Sequence, residues 1–205
     1  MLRLLQRQLE AVYQVEAPDI RAFTVSTEQM DEVAGDLHRG ADEWVLVREA
    51  EDALDLAVWI DQRHLDALEA AGSPRVAIER CFRSLCAAVE GVSHFLLLIE
   101  RARRAEPVRL LELEAQAEVD KFVCARLHVP TRSREWRARL FRDVTLQEGL
   151  SNEEYSRYRE AGRLADGLCS DLTRHPHDRA LLRDLRRFWR ASGHQRMERM
   201  RRLAA

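Results

Sequence analysis

Lys121 is the one lysine beside 32 arginines, and it lies in a stretch with the periodicity of an amphipathic helix. In a chain that favours Arg so strongly, a lysine marks a place where a compact ammonium able to shed its proton serves better than a planar fork. Groups that could meet it stand at helical spacing: Glu90 and His94 in one stretch, Glu114 and Glu118 in another, with Ser93 beside His94. Side chains four apart share a helix face. If the two stretches form an antiparallel helix hairpin turning near residue 105, facing positions sum to about 211. Glu90 then faces Lys121, and His94 faces Glu118 with Glu114 one turn away.

Four chemistries are open to Glu90, Ser93, His94, Glu114, Glu118 and Lys121. The first is an ion-pair and hydrogen-bond network that fixes the register of the hairpin, because an unpaired buried charge costs several kcal/mol. The second is a metal site on Glu90, His94, Glu114 and Glu118. Di-metal carboxylate bundles supply Glu-x-x-His from each of two helices; here the spacing is Glu-x-x-x-His, it occurs once, and Lys121 brings a positive charge to the place of the cation. The third is acid–base or Schiff-base chemistry, with burial lowering the Lys121 pKa and His94 shuttling a proton. The fourth is a pocket for a polar ligand. Glycine-rich phosphate loops, G-x-S-x-G, H-E-x-x-H and dinucleotide fingerprints are all missing from the sequence, so nothing supports a catalytic reading beyond the cluster itself. The network is the favoured reading, and neither a metal nor a cofactor is expected.

A second set of residues could bind anions. Arg186, Arg187, Arg190, Arg196 and Arg199 are interleaved with Phe188 and Trp189 and could grip phosphates. Asp178, Asp184 and Glu198 stand among them, which favours an Arg-rich helix covering apolar surface with its stems. Residues 1–130 hold 15 Lys/Arg against 24 Asp/Glu, a net −9, and residues 131–205 hold 18 against 11, a net +7. The two portions should attract, within one chain or between copies. His175, His177 and His194 could ligate a metal, but histidines beside a proline are ordinarily solvated. Tyr155, Tyr158 and Arg159 resemble the surface mixture of any interface. Cys81, Cys86, Cys124 and Cys169 show no CxxC spacing and read as small core fillers.

These groups need elements to position them. Leu2, Leu5, Leu9 and Val12 give a first helix that Pro18 ends. Ile20 to Ser26 is rich in β-formers, and Ser26-Thr-Glu-Gln29 is a capping box opening a helix to about His38. Glu43 to Arg48 and Leu54 to Ile60, the latter with apolar residues at every second position, predict a β-hairpin across the polar 49–53 segment, in a small sheet of about three strands. After Gly72 the period changes to 3.6. Ser73-Pro74 opens a spine helix in which Ile78, Phe82, Leu85, Val89, Val92, Leu96 and Ile99 keep step as far as Arg104. Pro107 starts its antiparallel partner, Pro130 breaks it, and a short helix through Trp136 follows. Ser151-Asn-Glu-Glu154 caps a helix to about Thr173, and one last helix runs from Leu181 to about Leu203, weakened by Gly193.

The fold class expected is α+β, a predominantly α-helical bundle with a long antiparallel helix hairpin preceded by a small N-terminal antiparallel β-sheet. The change of period at residue 72 gives segments 1–72 and 73–205 within one cooperative domain. The longest apolar run, Phe95 to Ile99, is far short of the roughly 18 residues that span a bilayer, so a cytoplasmic protein with no membrane partner is expected. The function expected is a non-enzymatic protein-interaction or assembly module that self-associates. A metal-binding or catalytic bundle is the alternative, and nucleic-acid binding through the C-terminal arginines the third possibility.

Overall fold

Alternation and capping account for most of the elements in the computed structural model, which describes residues 1–38, 40–50, 53–143, 149–175 and 177–205. Helix takes 73 % of the chain beside a two-stranded antiparallel sheet, so the class is α+β with helix dominant. The chain divides into two compact units, Met1–Gln8 with Glu16–Pro107 and Leu9–Val15 with Val108–Ala205. The change of period at residue 72 falls inside the first.

Helix α1, Leu2–Tyr13, contributes to both units. It stops five residues short of Pro18, because Gln14 adopts a left-handed φ of 58° and the Val15 N–H closes the end on the Glu10 carbonyl at 3.1 Å. This is the six-to-one bond that seals a helix C-terminus.

In the first unit, residues 20–22 form a single 3-10 turn and only Thr24 bridges the sheet. The β-forming run therefore yields a bridge, not a third strand. Ser26 and Gln29 cap α2, Thr27–Ala34, reciprocally. Strands β1, Glu43–Ala50, and β2, Ala53–Ile60, pair from Glu43↔Ile60 to Ala50↔Ala53. They reach further into the polar 49–53 segment than alternation predicts, and the expected turn at residues 51 and 52 lies outside the described residues. Helix α3, Gln62–Ala71, is capped by Asp61 and was not anticipated.

The predicted spine helix is two helices, α4, Pro74–Arg80, and α5, Phe82–Arg103. Cys81 leaves helical geometry at φ −140°, ψ 54°, and its thiol reaches the Ala67 carbonyl of α3 at 3.6 Å. The apolar trace keeps step through the break, so periodicity could not reveal it. Helix α5 lies on the sheet where Gly91 lets it approach: a Cβ there would stand 3.2 Å from Val58 Cγ1. By length and composition α5 could cross a membrane, yet 78 % of its apolar window is buried inside the structure, as in a core helix. Phe95, fully buried 5.0 Å from the Phe23 ring, contributes roughly 1.5–3 kcal/mol by burial.

The second unit is built on α6, Leu110–His128, which starts three residues after Pro107 and is buried on nearly every side. Helices α7, Ser133–Phe141, and α8, Asn152–Leu172, pack on it, the latter opened by the predicted Ser151/Glu154 capping box. The predicted last helix is two, α9, Asp178–Arg190, and α10, Gly193–Leu203. Ser192 and Gln195 form a third capping box at the junction. Pro176, in the expected linker, lies outside the described residues.

Candidate functional site

The six residues of the first cluster are divided between the units. Glu90, Ser93 and His94 stand on α5 in the first. There the buried His94 holds Nδ1 3.6 Å from Glu43 Oε1 at the start of β1. Glu114, Glu118 and Lys121 stand on α6 in the second. The Lys121 ammonium, set opposite Glu90 by the sequence, donates to Glu118 at 2.7 Å one turn back on its own helix. Glu114 lies 3.8 Å from the Arg157 guanidinium of α8. One of the four candidate metal ligands, Glu118, is thus occupied by a cation of the protein itself.

A centre that the sequence did not suggest lies in the first unit. Asp42, just before β1, receives Arg63 at 2.7 Å and two nitrogens of Arg83, Nε and Nη2, at 2.7 and 3.0 Å. His64 places Nε2 2.9 Å from the same carboxylate and Nδ1 3.0 Å from the Ser84 hydroxyl. Burial alone would raise the Asp42 pKa, but the hydrogen bonds from Arg83 and His64 outweigh it and hold the carboxyl below its usual range. Serine, histidine and aspartate in a chain invite comparison with a nucleophilic triad. Here the hydroxyl is the buried end, 7 % exposed, and the carboxylate is the open end, so a substrate carbonyl has no approach to Ser84. The arrangement fixes α3 and α5 against the entry to the sheet.

The second unit contains a buried polar network around α6. Tyr13 donates to Asp120, and Gln116 donates to both Tyr13 Oη and Asp120 Oδ1 at 2.9 Å. Arg196, 2 % exposed, donates to the Gln116 amide oxygen and stands 3.2 Å from Glu112 Oε1. The Arg196 guanidinium lies over Phe188 and Trp189 at 5.0 and 5.3 Å, and Trp189 stacks on Tyr13 at 4.2 Å. Burial, reinforced by the Asp120 carboxylate, pushes the Tyr13 hydroxyl well above the usual phenol range. Glu112, Gln116 and Asp120 are four apart, a polar row on α6 that sequence spacing could have disclosed.

Arg196 is therefore not on an anion-binding face, and neither is Arg199, which donates to Asp184 at 2.6 Å and lies 3.6 Å from Asp171. The break at residues 191 and 192 turns α10 inward. What remains is confined to α9, where Arg179, Arg183, Arg186, Arg187 and Arg190 line a groove of about 680 Å³ with Gln14 and Ala191. At 3.6 residues per turn these five fall within an arc of about 100° along roughly 16 Å of helix. Leu181, Leu185, Phe188 and Trp189 occupy the opposite, buried side. Two of the arginines are anchored: Arg186 donates to the carbonyls of Val12 and Ala11 at 3.0 and 3.2 Å, and Arg190 to Gln14 Oε1 at 2.8 Å. Arg179, Arg183, Arg187 and Arg190 are exposed.

Among the described residues no carboxylate pairs with any of the five. The acids expected to neutralise them are engaged elsewhere or stand apart. Asp184 takes Arg199 and lies 3.5 Å from His175, Asp178 lies 3.9 Å from Arg126, and Glu198 is exposed on α10. Arg179 and Arg183 were missed although their spacing to Arg186, Arg187 and Arg190 continues the same face. His175, held by Asp184, makes no ligand set with His177 and His194 among the described residues. Tyr155, Tyr158 and Arg159 line a separate cleft of about 900 Å³ with α7, where Arg159 lies 5.8 Å from the Tyr155 ring.

Compared with protein-family models, curated proteins and solved structures, the chain has no match.

Proposed function

We propose that this chain is a binding module whose α9 arginine face grips the phosphate backbone of a nucleic acid. The observation that carries this reading is five guanidinium groups on one helical face, four of them exposed, with no carboxylate among the described residues to neutralise them. Arginine is the side chain whose planar fork fits phosphate oxygens in pairs. The second unit, Leu9–Val15 with Val108–Ala205, holds 21 Lys/Arg against 16 Asp/Glu, a net +5. Phe188 and Trp189, the aromatic residues of α9, are 2 % and 1 % exposed and offer no platform for stacking bases. Recognition is then of the backbone and not of the sequence. A nucleic-acid ligand and four free cysteines agree with a cytoplasmic location.

The test is fluorescence anisotropy with random-sequence duplex and single-stranded oligonucleotides between about 50 and 200 mM salt. With three to five phosphates engaged, the slope of log affinity against log salt should be about −3 to −4.5 on duplex. Changing Arg179, Arg183 and Arg187 together to Gln should flatten that slope toward zero while the melting temperature holds. Binding that is absent, or that survives the triple change with its slope intact, overturns the reading.

A further inference from the structure

The sheet of the first unit has one closed side and one open side. β2 is bonded along both edges, to β1 on one and to residues 23–25 on the other, where Val58 N–H donates to the Phe23 carbonyl at 2.8 Å and Val25 N–H to the Val58 carbonyl at 3.0 Å. β1 pairs with β2 alone, and among the described residues no backbone group bonds to its outer edge. In an eight-residue strand about half of the backbone N–H and C=O groups face that way. The pairing runs without a bulge from Glu43↔Ile60 to Ala50↔Ala53. Its middle is the unbroken apolar run Trp44-Val-Leu-Val47, none of which is buried, and Val47 is 45 % exposed. Protected edges carry a bulge, a proline or a central charge. β1 has neither bulge nor proline, and its charges, Glu43, Arg48 and Glu49, flank the apolar middle and do not interrupt it.

We infer that the outer edge of β1 pairs antiparallel with β1 of a second copy, on a two-fold axis through Leu46. A two-fold axis in an antiparallel ladder requires one residue to face itself. Centring on Leu46 sets Val45 against Val47, and Trp44 against Arg48, whose guanidinium is held by Asp55 of β2 at 2.6 and 2.9 Å. The like-charged pair in this register, Glu43 with Glu49, falls at the two ends. Centring on Val47 instead would set Leu46 against Arg48 and Val45 against Glu49, and centring on Val45 would set Glu43 against Val47, so the Leu46 register matches apolar residues best. The strand is thus complementary to itself, which singles out a second copy of this chain as the occupant.

The experiment is sedimentation velocity on the full chain with Leu46→Glu, Leu46→Arg and their equimolar mixture. The unaltered chain should dimerise below about 100 µM, either variant alone should dimerise at least tenfold more weakly through like-charge repulsion, and the mixture should recover a heterodimer. Amide exchange of the unaltered chain gives a readout independent of any variant: β1 amides should slow as concentration rises, and α9 amides should not. A monomer at about 100 µM, variants that dimerise unchanged, a mixture that stays monomeric, or exchange that slows elsewhere and not in β1 would each overturn the inference.

Discussion

Arg187 and Arg196 are nine positions apart in the chain, and their surroundings differ in almost every respect. Arg196 is enclosed, with Glu112 at ion-pair distance, Gln116 as acceptor and two aromatic faces beneath its guanidinium. Arg187 stands in an open groove beside four more arginines and no carboxylate. The same side chain serves as an internal tie in one place and as an unneutralised surface charge in the other. What decides between them is the change of direction at Ala191 and Ser192, which sends α10 inward while α9 keeps its basic side outward. Charge counted along the sequence hides this, because acids that are near in sequence, such as Asp184, face the other way.

The largest effect should come from breaking the tie. Arg196→Met takes from the buried Glu112 the guanidinium that stands 3.2 Å from its carboxylate, and should cost about 3–5 kcal/mol in urea denaturation. Adding Glu112→Leu should return much of that loss, since the uncompensated charge is what destabilises. Losses that simply add would show that the two side chains do not act as a pair.

Gly193→Ala should come next and run against ordinary helix propensity, which favours Ala by up to about 1 kcal/mol. A Cβ on residue 193 would lie 2.6 Å from Glu112 Oε2, and Glu112 cannot withdraw without leaving Arg196. We expect a net loss of about 1–3 kcal/mol, and a gain when the same change is made in a Glu112→Ala background and compared with that background. Thermal melts of the three variants would show the reversal, and a plain gain from Gly193→Ala alone would contradict the tight approach.

The smallest expected difference lies within the face itself. Arg186 caps carbonyls at the end of α1, so Arg186→Ala should lower stability by about 1 kcal/mol. Arg187→Ala should stay within about 0.5 kcal/mol of the unaltered chain. Equal losses would mean that the anchored and open members are not distinct.

Much of the fold was legible from local chemistry. The period-2 run of Leu54, Leu56, Val58 and Ile60 marked β2, and Ser26 and Ser151 announced their helices through capping boxes. The breaks at Cys81 and Ser192 escaped because apolar spacing continues across both, although Ser192-Gly-His-Gln195 carries the same signature as Ser26-Thr-Glu-Gln29. Arg186, Arg187 and Arg190 were legible as a possible phosphate-gripping set, but the acids interleaved with them in sequence argued for a helix covering apolar surface instead. Arg196 and Arg199 were grouped with them because a single uninterrupted helix was assumed, and no local signal reports which side of α10 meets Glu112. The lone lysine drew attention for its rarity, while the row of Glu112, Gln116 and Asp120 passed unnoticed as ordinary helix composition.

Helix α1 has a consequence for synthesis. Its second half, carrying Leu9, Val12 and Tyr13, belongs with the second unit, and the ring that stacks on Tyr13 belongs to Trp189, 176 residues later. At about 5–20 residues per second the ribosome needs roughly 9–35 s to deliver that partner. Throughout this interval the apolar side of 9–15 has no Trp189 to cover it, so on nascent chains arrested before residue 178 it should be open to a chaperone or a protease and become protected once α9 has emerged.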